Sequence, residues 1–236
     1  MTTAIDGLPE ASSATAARIL AAANDLLIGH GVKGFTVADV ATRAHTGKGT
    51  VYLYWPTKED LLIGLIGRGF LSILDDLIEA FTDHADLARP SRFCSAMLRA
   101  ALGQPLIAAM QRHDGDLLGI LADHPRSVAL DEALGPAAVL HAALPLWRAN
   151  GMARTDWDIA DQTFALQALV TGVTVSLVQD SSAADHHLTV LDAATTALLG
   201  PERANQKRLR ATASGIIEFL REGRTAALGL LAMPTQ

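Results

Sequence analysis

Apolar positions recur at three- and four-residue spacing along nearly the whole chain, the period of helices with one buried face. A first segment starts near Thr15, places Ile19, Ala23, Leu26 and Leu27 on one side, and stops at Gly31, a residue suited to a helix C-terminus. Thr36 opens a second segment with Asp39 as its capping partner, and Val37, Val40, Ala41 and Ala44 mark its inner face. A short break at His45 and Thr46 leads to a third helix over roughly Gly47 to Tyr54, ended by Pro56. Thr57 and Asp60 form a second capping pair with Lys58 between them. From there one unbroken amphipathic pattern runs from Leu61 and Leu62 through Phe70 and Leu77 to Phe81. Further helices are predicted over 91–103, 105–113, 116–123, 126–149, 157–180, 186–199 and 202–223, between breaks such as Pro105, Pro125, Gly151 and Pro201. Residues 1–14, rich in Ala, Ser and Thr and without a sustained period, are expected to be a mobile arm.

The fold class this predicts is all-α: a three-helix module over 15–60, then a helical domain over 61–236 that shares the long fourth helix with it. Composition agrees. Half of the 236 residues are apolar, Ala and Leu dominate, and β-branched runs bounded by turn residues are scarce. A net charge of −6 argues against a general polyanion binder, although a local cationic face can still act on an acidic protein. The single cysteine, Cys94, fits a reducing compartment. The N-terminus shows no secretory pattern, and the longest apolar stretch, Phe164 to Val178, is interrupted by Gln167 and Thr171. A soluble, cytoplasmic protein without a membrane partner is expected.

Two short helices separated by a tight break, with a third bracing them, follow the helix-turn-helix plan. Val51 and Trp55 lie four residues apart, so both can anchor the third helix inward. Lys48, Thr50 and Tyr52 then fall away from that edge, toward a major groove, and Gly47 and Gly49 leave room for close backbone approach. Arg43, near the end of the second helix, reads equally as a DNA contact or as a solvated charge.

The stretch from Gly49-Thr50-Val51-Tyr52-Leu53-Tyr54-Trp55-Pro56 to Thr57-Lys58-Glu59-Asp60-Leu61 resembles the signature of the TetR family of bacterial transcriptional repressors. Upstream, Gly31, Phe35-Thr36-Val37, Val40-Ala41 and Ala44 stand at similar positions, and the resemblance covers roughly residues 15–66. It implies phosphate contacts from Thr36 and Lys58, and base or backbone contacts from Lys48, Thr50 and Tyr52. Three positions depart from the pattern: His45 in place of a turn glycine, Gly47 in place of Ser or Thr, and Leu53 in place of a polar or basic residue.

The resemblance also implies a homodimer on a palindromic double-stranded DNA operator, released by a small-molecule effector. Phe93, Met97, Met110, Trp147, Phe164 and Gln167 are candidates to line an effector cavity, or to be ordinary core. Two late helices, over 157–180 and 202–223, are expected to form the dimer interface; in the second, Leu209, Ala213, Ile216, Ile217 and Leu220 form an apolar stripe that meets the partner or packs against its own subunit. His113-Asp114, Asp123-His124 and Asp185-His186-His187 lack the spacing of a metal site, and no nucleophile elbow or phosphate loop occurs. No cofactor, metal or enzymatic activity is therefore expected. The rival reading is a helical ligand-binding protein or enzyme whose N-terminal module has lost DNA binding.

Overall fold

The first helices form where the capping residues place them. The computed structural model describes residues 5–104 and 124–232, and every regular element among the described residues is helical. Helix α2 (Ala14–His30) starts at Ser13, whose hydroxyl accepts from the Ala16 N–H, and ends at Gly31 with φ 67°. Helix α3 (Val37–Arg43) carries the complete Thr36–Asp39 capping box. Helix α4 (Lys48–Tyr54) starts at Gly47 without a side-chain cap. Helix α5 (Lys58–Asp83) opens on a second reciprocal box: the Asp60 N–H donates to Thr57 Oγ1 at 3.0 Å, and the Thr57 N–H to Asp60 Oδ2 at 3.2 Å.

His45 takes the left-handed conformation, φ 53°, at the end of α3. The Thr46 N–H donates to the Ala41 carbonyl at 2.9 Å and the His45 N–H to the Thr42 carbonyl at 3.2 Å. These are the two bonds of a Schellman turn, in which glycine is the usual left-handed residue. The missing glycine leaves the turn formed, with an L-residue in a conformation that disfavours a Cβ.

The expected mobile arm is not borne out over its described part. Residues Pro9–Ser12 form a single helical turn, α1, and Leu8 is buried. Glu10, also buried, meets Arg68 of α5 through two hydrogen bonds of 2.6 Å. Arg68 in turn donates to the Gly64 carbonyl at 2.7 Å. A buried carboxylate is tolerated here because a bidentate guanidinium faces it.

The remaining helices are α6 (Pro90–Leu102), α7 (Pro125–Leu134), α8 (Pro136–Ala149), α9 (Ile159–Gln179), α10 (Ala184–Leu199) and α11 (Gln206–Ala232). The helices predicted over 105–113 and 116–123 lie outside the described residues. A single helix over 126–149 was expected; two occur, because Gly135 is extended at ψ 165° and Pro136 starts α8. A residue before proline avoids the helical region, so the break sits there. The last helix begins four residues later than expected and continues to Ala232.

The chain forms two compact units. The first comprises the described parts of 1–72, 103–130 and 224–236, the second 73–102 and 131–223. The division therefore falls inside α5, not at its start where the sequence pattern set the domain boundary. In the first unit Ile19, Ala23, Val40, Val51, Leu61 and Leu62 centre the core. In the second, α10 packs on α6 and α9, and α8 on α9. There the Phe81 and Phe93 rings stack at 5.4 Å, Trp147 meets Phe93 edge-on at 5.3 Å, and the Trp147 indole donates to the Ala88 carbonyl at 2.8 Å. A Cβ at Gly215 of α11 would come within 3.0 Å of Leu146 of α8, so the glycine permits that approach.

Candidate nucleic-acid interface

Helix α4 is seven residues long, about 10 Å at 1.5 Å per residue, short enough to lie within one groove. Its inner edge is Val51, fully buried, and its C-cap Trp55 is 6% exposed. Tyr54 continues that brace, with its hydroxyl 2.7 Å from Ser13 Oγ at the start of α2. The opposite edge carries Lys48, Gly49, Tyr52 and Leu53, all exposed, with Thr50 half-buried beside them. The Lys48 ammonium lies over the Tyr52 ring at 5.7 Å, an i,i+4 cation–π contact. Nothing lies within 4 Å of where a Cβ would stand on Gly49. Of the residues expected to face DNA on this helix, Lys48, Gly49 and Tyr52 share one open edge.

The flanking candidates are more committed. Thr36 is exposed, but its hydroxyl donates to Asp39 Oδ2 at 2.8 Å, so a phosphate would compete for its one proton. That hydrogen bond, with the Thr36 N–H, holds the Asp39 carboxyl below the usual carboxylate range. Arg43 pairs with Asp25 at 2.9 Å, both about half exposed, a contact of the weak surface kind. With Arg18 these two residues line a shallow cleft of about 230 Å³ between α2 and the end of α3.

Lys58 is turned inward. Its ammonium donates to the carbonyls of Val32 and Phe35, both at 2.5 Å, and lies 4.3 Å above the Phe35 ring. It therefore ties the start of α5 to the loop between α2 and α3. Beside it Asp60 is buried, with one carboxylate oxygen facing His124 at 3.8 Å and Arg126 at 3.9 Å.

The described effector candidates differ in burial. Phe93 and Trp147 belong to the aromatic core, Met97 and Gln167 are half-buried, Phe164 is 73% exposed, and Met110 lies outside the described residues. Periodicity pointed to none of the buried polar groups of this unit, among them Gln162, whose side-chain oxygen has no protein partner. Burial pushes the Cys94 thiol up to about 12. Among the described residues no group of three metal-ligating side chains occurs, and no helix is long and apolar enough to cross a membrane.

The expected dimer stripe is covered within its own chain. Leu209, Ala213, Ile216 and Leu220 are buried and Ile217 half-buried. The exposed large apolar side chains of this unit lie on or just before α9, the other helix expected at the interface, and on α10: Trp157, Ile159, Phe164 and Val175, then Val190.

A short outward-facing helix braced on two partners defines a helix-turn-helix DNA-binding domain. Residues 19–65 match the family model for bacterial regulatory proteins of the tetR family. Solved structures share the fold. A protein described as a tetR family transcription regulator from Shewanella sp. PV-4 is 20% identical with a TM-score of 0.51, over 79% of this chain and 98% of its own. RolR, solved in complex with its ligand resorcinol, is 22% identical with a TM-score of 0.52, over 85% and 93%. A protein from the control of antibiotic production by bacterial hormones is 23% identical with a TM-score of 0.51, over 80% and 98%. A search among curated proteins finds no match.

Proposed function

We propose that the protein is a ligand-responsive transcriptional repressor that binds a near-palindromic operator as a homodimer and is released by a small-molecule effector. The observation that carries this reading is the open edge of α4, with Lys48, Gly49, Tyr52 and Leu53 exposed on a helix fixed by Val51 and Trp55. Lys48, Thr50 and Tyr52 reach bases or backbone, Gly47 and Gly49 let the helix start approach the phosphates, and Thr36, Arg43 and Lys58 supply the flanking polar and cationic groups.

Dimerisation is assigned to α9 and α10. Phe164, Ala168, Gly172 and Val175 follow one another at three- or four-residue spacing on the exposed side of α9, and Val190 is exposed on the neighbouring α10. Two such helices meeting their copies about a two-fold axis form a four-helix interface and remove this surface from water. The effector belongs to the second unit. The resorcinol complex of RolR supports a small-molecule effector, and α5, which contributes residues to both units, supplies the covalent path to the DNA-binding module. An effector acts only through its different affinity for the two states.

The test is titration of DNA flanking the protein's own gene with wild type and with Phe164→Glu/Val175→Glu, alongside sedimentation. Wild type should sediment as a dimer and bind. The variant should be monomeric and at least ~100-fold weaker, because each half-site then binds alone. A variant that stays dimeric and binds normally contradicts the assignment.

A further inference from the structure

Leu53 is 82% exposed on α4, beside Tyr52 at 41%. A single exposed leucine is ordinary on a protein surface. Its place is what gives this one meaning. Four residues earlier on the same face stands Gly49, with nothing within 4 Å of where a Cβ would stand, so Leu53 has no apolar side chain there to fold onto. The other members of the exposed edge are polar or bare: Lys48, held over the Tyr52 ring, and Gly49 itself. Leu53 is thus an apolar projection at the C-terminal end of a helix whose remaining groups suit phosphates and hydrogen-bonding base edges.

Resting on the DNA-binding reading above, we propose that Leu53 is a specificity-determining residue that packs on the C5-methyl group of a thymine in each operator half-site. The major-groove edges of guanine, cytosine and adenine present hydrogen-bonding atoms, which leucine can neither donate to nor accept from. Thymine alone adds a methyl group that an apolar side chain can cover. A polar edge beneath Leu53 would instead lose its water without a partner. The contact therefore favours thymine by attraction and the other bases less by default. Tyr52, one residue away, and Lys48 set the register in which Leu53 meets the groove floor.

The experiment takes the tightest duplex selected by the purified protein from a random-sequence pool and replaces its thymines by uracil, one position at a time. Uracil keeps every hydrogen-bonding atom and removes only the methyl group. Burying one methyl corresponds to about a fourfold change in affinity, so substitution in both half-sites should weaken wild-type binding roughly fifteenfold. At that position Leu53→Ala and Leu53→Gln should bind thymine and uracil alike. Circular dichroism melts of both variants confirm an intact fold, as expected for so exposed a site. A wild type that binds its duplex but shows no thymine whose methyl effect depends on Leu53 overturns this inference alone. A wild type that selects no duplex overturns the functional reading and this inference with it.

Discussion

Lys58 shows how much one side chain's role depends on what folds around it. As a lysine at a helix N-terminus it reads as a phosphate contact, since that end of a helix favours an anion. In the folded chain its ammonium lies against the carbonyls of Val32 and Phe35 and over the Phe35 ring. Those acceptors are 26 and 23 residues away, a convergence that no local pattern contains. Lys58→Ala should therefore lower stability by about 1–2 kcal/mol, toward the lower end for hydrogen bonds to charged groups because the site is only half-buried. It should also weaken specific and non-specific DNA binding alike, through the lost charge. Urea denaturation and salt-dependent titration check both; unchanged stability would contradict the bracing role. Arg68 and Glu10 make the same point, since neither residue type predicts burial, yet each makes the other's burial possible.

Among the elements, those with local signals were legible in advance. Helices α2, α3 and α4 and the start of α5 carry caps and breakers in sequence: Gly31, the Thr36–Asp39 and Thr57–Asp60 boxes, and Pro56. The open edge of α4 followed from the spacing of Val51 and Trp55. Partners were not legible. The stripe from Leu209 to Leu220 is buried as its period requires, but periodicity cannot say whether a face meets its own subunit or a copy. Phe164, a bulky residue in an apolar run, is open to solvent for the same reason.

The turn between α3 and α4 offers a sharper test of an element. Its Schellman bonds are intact although His45 carries the positive φ. Histidine tolerates this region better than a β-branched residue does. His45→Gly should keep the turn and leave stability unchanged or raised by up to about 1 kcal/mol, relief of strain being partly offset by a more flexible unfolded chain. His45→Val should lower it by about 1–2 kcal/mol. Thermal melts of the two variants decide; a Val variant as stable as wild type would show that the turn bears no strain.

At the scale of the whole molecule, the proposed function has an acidic chain bind DNA through the short helix α4. Its net charge of −6 provides little general attraction to a polyanion, so affinity has to come from geometry and repetition. The proposed dimer would supply the repetition, presenting two copies of α4 to successive major grooves about 34–36 Å apart. Selection of binding sites from random DNA by the purified full-length protein tests this most directly. The expected result is enrichment of inverted repeats whose half-site centres lie about 10–10.5 base pairs, or a multiple of that, apart. No enriched sequence, or a motif without two-fold symmetry, would contradict the central claim.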